Sequence, residues 1–267
     1  MKTPNPYHGV GAVPDALDFG LGAFDTLLQR FVSRRVDYDS VLWGELVRDL
    51  SDLSPAEDVA GILAEPALLE TEEHVRSLLD EIRPVDPFRR VWAADSVLAR
   101  CCYLVCRLAK PRIAVETGVA YGVSSALVLR AMEVNGSGEL HSIDLAPPGR
   151  RMKRFRGIAV PGELRRRWTL HPGSSRRVLG PLLKELGSVD LFLHDSLHTA
   201  RNMRREFREV WPCLNPGGII LADDVERNGA FGGLLRCGPA LWRVVCDRET
   251  RPLHGPKAPV TFGLAIK

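Results

Sequence analysis

Beyond Lys110-Pro111 the chain alternates short apolar runs with stretches of helical periodicity, and this alternation constrains its fold more than any other feature of its 267 residues. Ile113-Ala114-Val115 precedes a helical stretch over 123–134, which Asn135-Gly136 ends. Leu140-His141-Ser142-Ile143, Trp168-Thr169-Leu170 and Val189-Asp190-Leu191-Phe192-Leu193 follow as strand-like runs. A helix from about Thr199 places Met203, Phe207, Val210, Trp211 and Leu214 on one stripe and stops at Asn215-Pro216-Gly217-Gly218, ahead of Ile219-Ile220-Leu221-Ala222. Strands separated by helices at this spacing pair in parallel, with helices covering both faces. The end departs from the rule. Trp242-Arg243-Val244-Val245-Cys246 and Val260 to Ile266 have no helix between them, which predicts an antiparallel pair at one sheet edge. The expected fold is α/β: a doubly wound, mostly parallel, seven-stranded Rossmann-like sheet with an antiparallel last strand.

The part before residue 96 reads as helices joined by polar turns. Apolar residues recur at helical spacing over 17–32 and again over 37–50. Ser54-Pro55-Ala56-Glu57 has the form of a helix start, with a capping serine, proline at the first helical position and glutamate three residues after the cap. Residues 96–108 put Leu98, Cys102, Val105 and Leu108 on one face. The division expected is a helical cap or dimerisation segment over 1–95 and a ligand-binding α/β domain over 96–267.

Val115-Glu116-Thr117-Gly118-Val119-Ala120-Tyr121-Gly122-Val123-Ser124-Ser125 runs from a strand through a glycine loop into a helix. Gly118 and Gly122 let the backbone turn tightly and approach a ligand, and open α/β sheets bind ligands at such strand ends. The spacing is neither G-x-G-x-x-G nor a Walker loop, whose lysine is absent, and this speaks against an NAD-dependent dehydrogenase. Glu116 would repel a pyrophosphate, yet it suits a cofactor that carries an amino group and a sulfonium. Asp144 closes the second strand, 26 residues beyond Gly118, where a carboxylate accepts hydrogen bonds from both ribose hydroxyls. Gly173-Ser174-Ser175 forms a small turn after the third strand, suited to an adenine edge. Three further carboxylates fall at strand ends: Asp195 after the fourth strand, Asp223 and Asp224 after the fifth. Grouped, they would raise one another's pKa unless a cation sat among them, and oxygen-only ligands suit a hard ion such as Mg2+. The bland alternative makes Asp195 and His198 caps of one helix and Asp223-Asp224 caps of the next.

Glu116-x-Gly118-x-x-x-Gly122-x-Ser124, Asp144, Gly173-Ser174-Ser175, Asp195-Ser196-Leu197-His198, Asn215-Pro216-Gly217-Gly218 and Asp223-Asp224, in this order, resemble the class I S-adenosylmethionine-dependent methyltransferases. Within that class the likeness is to the catechol-type and macrocin-type O-methyltransferases and their cephalosporin-hydroxylase-like relatives. The resemblance covers residues 111–267; the helical part before it resembles no family. It implies an enzyme that binds S-adenosylmethionine through Glu116, Gly118, Gly122, Ser124, Asp144, Gly173, Ser174, Ser175 and Asp195. It also implies a divalent metal, Mg2+ in the first instance, on Asp195, Asp223 and Asp224. Catechol-type members carry Asp-Asn at the last pair and other relatives Glu-Asp, so Asp223-Asp224 raises the local negative charge. Where the catechol-type enzymes have a proton-accepting lysine this chain has His198, better matched as a base near neutral pH; His194, still within the strand, is the weaker candidate. Asp195 and His198 are therefore the expected catalytic pair.

The implied reaction is O-methylation of a hydroxyl on a small molecule such as a natural-product or sugar intermediate. Three other readings stand beside it: metal-independent N- or O-methylation with His198 as base, a different reaction on the same fold, and an RNA-binding methyltransferase or binding module. The last would use the basic stretch of Arg150, Arg151, Lys153, Arg154, Arg156, Arg165, Arg166 and Arg167. A net charge of +3 and only Phe155 and Trp168 among those arginines argue against nucleic acid. No apolar run approaches roughly 18 residues, and residues 1–13 lack the apolar core of a signal peptide, so a cytoplasmic protein with no membrane partner is expected. The six cysteines show no metal-binding spacing and read as buried free thiols. An appended helical segment makes a homodimer an expectation, and 229–238, with Phe231, Gly232 and Gly233, reads as a loop at the site's rim.

Overall fold

The computed structural model describes residues 12–32, 34–85, 94–145, 154–248 and 259–267. Arg150, Arg151 and Lys153 of the basic stretch lie outside them. In chain order the elements are α1 (Ala12–Val32), β1 (Ser40–Val41), α2 (Trp43–Leu53), α3 (Val59–Leu63), α4 (Pro66–Glu81), α5 (Ser96–Ala109), β2 (Ile113–Thr117), α6 (Val123–Asn135), β3 (Glu139–Asp144) and β4 (Trp168–Pro172). Then come α7 (Ser175–Leu186), β5 (Val189–His194), α8 (Ala200–Cys213), β6 (Leu214–Asp223), α9 (Ala230–Leu235), β7 (Leu241–Asp247) and β8 (Val260–Ile266).

The strands form one sheet in the order β1-β7-β8-β6-β5-β2-β3-β4. β2 to β6 pair in parallel, while β8 runs antiparallel to both β6 and β7. The doubly wound sheet with an antiparallel finish is as expected, but it has eight strands rather than seven. The eighth is β1, where Ser40 and Val41 pair in parallel with Val244 and Val245. The edge pairing takes residues 40–41 out of the helix read over 37–50, and α2 begins only at Trp43. Ser54 likewise ends α2, and the next helix is capped by Asp58, whose carboxylate accepts from the Gly61 N–H at 2.8 Å. Residues 230–235 are helical, with Phe231 fully buried and edge-on to Phe207, so the expected rim loop is a packed element.

Alternation along the strands builds two cores. Ile219 and Leu221 face one side of the sheet with α2 to α6; Ile220 and Ala222 face the other with α7, α8 and α9. On the first side Leu46, Leu50, Leu68, Val75 and Leu79 of α2 and α4 join Leu98, Cys102 and Leu127 in a single cluster, so the core runs unbroken across residue 95. Cys101, Cys102 and Cys106 are buried thiols as expected, whereas Cys237 is exposed.

The first helix is built the other way round. Asp18, Gly22, Asp25 and Gln29, one face of α1, meet the body of the protein. Asp18 bonds Ser174 and pairs with Arg177, Asp25 faces Arg201, and Gln29 bonds the segment after His198. Leu17, Leu21, Phe24 and Leu28 on the opposite face are exposed. Among the described residues no helix is long and apolar enough to cross a membrane.

Candidate active site

The carboxyl ends of β6, β5, β2 and β3 lie side by side and bring the expected site residues to one edge of the sheet. At its centre the chain leaves β2 through Gly118, with φ 87°, a conformation that favours glycine. A Cβ there would overlap the carbonyl oxygen of Asp195, so the glycine is required by close approach of the two strand ends. Asp195 N–H donates to Thr117 C=O at 2.8 Å across the same gap. Gly122 then caps α6 in the left-handed region.

Glu116, expected at the cofactor, has no exposed surface. It accepts from the hydroxyls of Ser124 (2.5 Å), Ser125 (2.5 Å) and Ser142 (2.7 Å), tying β2, α6 and β3 together beneath the loop. Burial pushes its carboxyl up, against the pull of the three hydroxyls. Glu116 and Ser124 thus bond to each other where the loop enters α6.

Asp144 ends β3 with its side chain 15% exposed. Burial raises its carboxyl to about 6, and the guanidinium of Arg156, whose Nε is 4.0 Å away, opposes that rise. Arg156 also donates to the Asp144 carbonyl at 3.1 Å. It belongs to a strap over 154–160 that lies on the glycine loop: Gly157 N–H donates to Ala120 C=O and Ala159 N–H to Tyr121 C=O, both at 2.8 Å. Arg165 holds the strap in turn, donating to the carbonyls of Gly157 (2.7 Å) and Val160 (3.2 Å) and lying over the Trp168 ring. Arg166 and Arg167 both pair with Glu133. The described part of the basic stretch is therefore largely spent on local structure. In the turn after β4, Ser174 donates to Asp18 of α1 at 2.6 Å and Ser175 to Glu206 at 2.5 Å.

On the other side of the loop, Asp195, His198 and Asp223 bring one ligand atom each to within 4.8 Å of one another. His198 Nε2 lies 3.6 Å from both Asp195 Oδ1 and Asp223 Oδ2, is buried and makes no hydrogen bond. Burial first, then the neighbouring His194 and Arg227, hold the His198 imidazole well below its ordinary pKa and hence neutral near pH 7. Asp224, with φ 53°, turns its carboxylate to Arg227 at 2.9 Å and to His198 Nδ1 at 3.5 Å. Among the described residues, Asp195, His198 and Asp223 are the group whose ligand atoms lie close enough together to hold a metal; the sequence reading had Asp224 in place of the histidine, and Asp224 lies beside this group. An imidazole among the donors widens the fit from Mg2+ toward Mn2+, Fe2+ or Zn2+.

The residue that sequence reasoning missed is Glu206. It is fully buried on α8, in a line that otherwise carries Met203, Phe207 and Val210. Its signal was there to read: a carboxylate on an apolar stripe needs partners. They are Thr117, Ser175, His194, Ser196, Asn202 and Arg205.

Residues 115–225 match the family described as Methyltransferase domain. No curated protein matches the chain. Among solved structures, the O-methyltransferase TomG from Streptomyces achromogenes, involved in tomaymycin synthesis and solved with S-adenosylmethionine, superposes with a TM-score of 0.51 at 18% identity, over 76% of this chain and 89% of that one. An O-methyltransferase from Bacillus cereus in complex with S-adenosylhomocysteine does so with a TM-score of 0.52 at 14% identity, over 84% and 97%. At these identities the likeness is one of fold.

Proposed function

We propose that this chain, whose residues 115–225 match the family described as Methyltransferase domain, is a class I S-adenosylmethionine-dependent O-methyltransferase of small molecules, assisted by a divalent metal. The observation that carries the reading is the placement of two acidic sites on either side of one glycine loop. Asp144 stands at the end of β3, and Asp195, His198 and Asp223 stand beyond β2, at the ends of β5 and β6.

The parts divide as follows. Asp144 offers two carboxylate oxygens to a ribose, and the α6 N-terminus offers free backbone N–H groups and a positive dipole end to an amino-acid carboxylate. S-adenosylmethionine, when bound, supplies the electrophilic methyl group. Asp195, His198 and Asp223 would hold the cation, which lowers the pKa of a substrate hydroxyl bound to it. Holding nucleophile and methyl group in line is the larger part of the task, because a fixed near-attack geometry removes much of the entropic barrier. α1, bonded to both the Ser174 turn and the segment after His198, forms a wall of the cleft and limits the size of the substrate. Its outward stripe of Leu17, Leu21, Phe24 and Leu28 is the surface on which a second copy would pack. Sedimentation at micromolar concentration as a monomer would remove that part of the proposal.

A second reading has one observation in its favour. His198 is held neutral, with Nε2 free of hydrogen bonds, as a general base requires, so metal-free methylation with His198 taking the proton is the alternative. Titration calorimetry with S-adenosylhomocysteine and Mn2+, in the presence and absence of EDTA, separates the two. Micromolar binding of both ligands supports the metal-assisted reading, and binding of S-adenosylhomocysteine alone supports the second. Absence of S-adenosylhomocysteine binding overturns both.

A further inference from the structure

Resting on the reading just given, we infer that Glu206 is the positioning residue of this site: from beneath, it fixes Asp195 through both of that residue's neighbours and fixes the ligand-side turns through Thr117 and Ser175. The side chain is fully buried, and all six of its partners are donors. Its Oε2 accepts from Thr117 Oγ1 at 2.7 Å and from His194 Nδ1 at 2.7 Å. Its Oε1 accepts from Ser175 Oγ at 2.5 Å, Ser196 Oγ at 2.9 Å, Asn202 Nδ2 at 2.9 Å and Arg205 Nη2 at 3.3 Å.

These partners come from the separate segments that build the cleft. Thr117 is the last residue of β2, directly before Gly118, and its carbonyl holds the Asp195 N–H. Ser175 follows Ser174 in the turn after β4. His194 and Ser196 flank Asp195, so both bonds that could let that aspartate swing are tied to one carboxylate. Asn202 extends the grip, donating also to Ser196 Oγ at 3.1 Å and to the Leu197 carbonyl at 3.0 Å. Glu206 itself sits on α8, whose Met203, Phe207 and Val210 anchor it in the core of the second sheet face.

The charge matters as well as the shape. Six donors converge on two oxygens with about four lone-pair sites between them, an environment suited to a carboxylate, which accepts at both oxygens and donates at neither. Burial alone would raise the Glu206 carboxyl, but His194 foremost, with Ser175 and Arg205, holds it at about 2, so it is ionised at any working pH. An ionised acceptor at 2.7 Å requires a proton on His194 Nδ1. A glutamine here keeps the volume but points an amide N–H at a donor on one side or the other.

The test uses the full-length protein with Glu206→Gln. S-adenosylhomocysteine affinity by calorimetry is expected to fall at least tenfold. In 1H–15N spectra of the imidazoles the His194 Nδ1–H signal, bonded to a carboxylate in the wild type, is expected to shift or be lost. A control at equal depth is Glu72→Gln, which breaks the Arg100 pair between α4 and α5, remote from the cleft. It should lower the thermal midpoint and leave the affinity within twofold. Should Glu206→Gln not fold, Ser196→Ala and Ser175→Ala each cut one link, and each should weaken S-adenosylhomocysteine severalfold. Wild-type binding with unchanged affinity in folded Glu206→Gln, or in both serine variants, overturns the inference while leaving the cofactor reading intact. Failure of the wild type to bind overturns the cofactor reading on which the inference rests.

Discussion

At the scale of single residues the site is a set of carboxylates told apart by their neighbours. Asp144 is raised to about 6 by burial, with Arg156 opposing. A ribose needs the ionised form as acceptor, so affinity for S-adenosylhomocysteine should approach its full value by pH 7 and fall as pH drops through 6. At pH 5 the dissociation constant should be about tenfold that at pH 7, as for one required ionisation. Asp144→Asn should bind weakly and show no such dependence; a flat wild-type profile between pH 5 and 7 would refute the assignment. The proposed metal ligands can be tested one by one. Asp223→Asn and His198→Ala should abolish Mn2+ binding by calorimetry, whereas Asp224→Asn should weaken it by no more than about threefold. Asp224 is engaged with Arg227 and stands outside the group whose ligand atoms come within 4.8 Å of one another. Equal losses from Asp223→Asn and Asp224→Asn would restore the three-aspartate site. Spacing along the chain placed all these carboxylates at strand ends. Which of them turn toward one another depends on local dihedrals, such as the positive φ of Asp224, and on partners such as Arg227 that no motif marks.

At the scale of elements, legibility follows periodicity. β2, β5 and β6 were readable as short apolar runs buried on both faces of the sheet, α6 as a helix-length run that is mostly buried, and α8 as a stripe buried on one face. β1 was not, since two residues pairing at an edge leave no pattern, and the start of α3 lay with Asp58 rather than the better-looking Ser54-Pro55 signature. Glu206 hid in a stripe that reads as plain core, and Arg165 hid in a charge run, although it clamps the strap over the glycine loop. α1 was legible as a helix, but its orientation was not: its polar side faces inward. None of its described side chains is buried, so it adds little to the core, yet the Gln29 amide bridges the His198 carbonyl (2.8 Å) and the Ala200 N–H (2.6 Å). Gln29→Ala should therefore leave the thermal midpoint within a few degrees. It should also speed S-adenosylhomocysteine release about fivefold or more in stopped-flow displacement, from the loss of hydrogen bonds worth about 1 kcal/mol each. Unchanged release would make α1 a bystander to the cleft.

At the scale of the molecule, the chain's two halves by pattern share one core. α2 and α4 bury Leu46, Leu50, Leu68, Val75 and Leu79 against α5 and α6, and Glu72–Arg100 and Glu65–Arg107 stitch α4 and the turn before it to α5. α6 is buried over most of its surface because one side meets the sheet while others meet α4 and α5; without those helices Leu127, Val128 and Ala131 would lose part of their cover. The part carrying the site motifs therefore depends on the part that carries none. Leu68, with no exposed surface, is the probe. Leu68→Ala should cost about 2–5 kcal/mol, the range for emptying a buried leucine site, and should lower one cooperative transition that near-ultraviolet and far-ultraviolet circular dichroism report together. Residues 96–267 expressed alone should be insoluble or lack a cooperative transition. A soluble 96–267 that melts cooperatively and binds S-adenosylhomocysteine as the whole chain does would mean that the helices before residue 96 serve substrate access or assembly and not the fold.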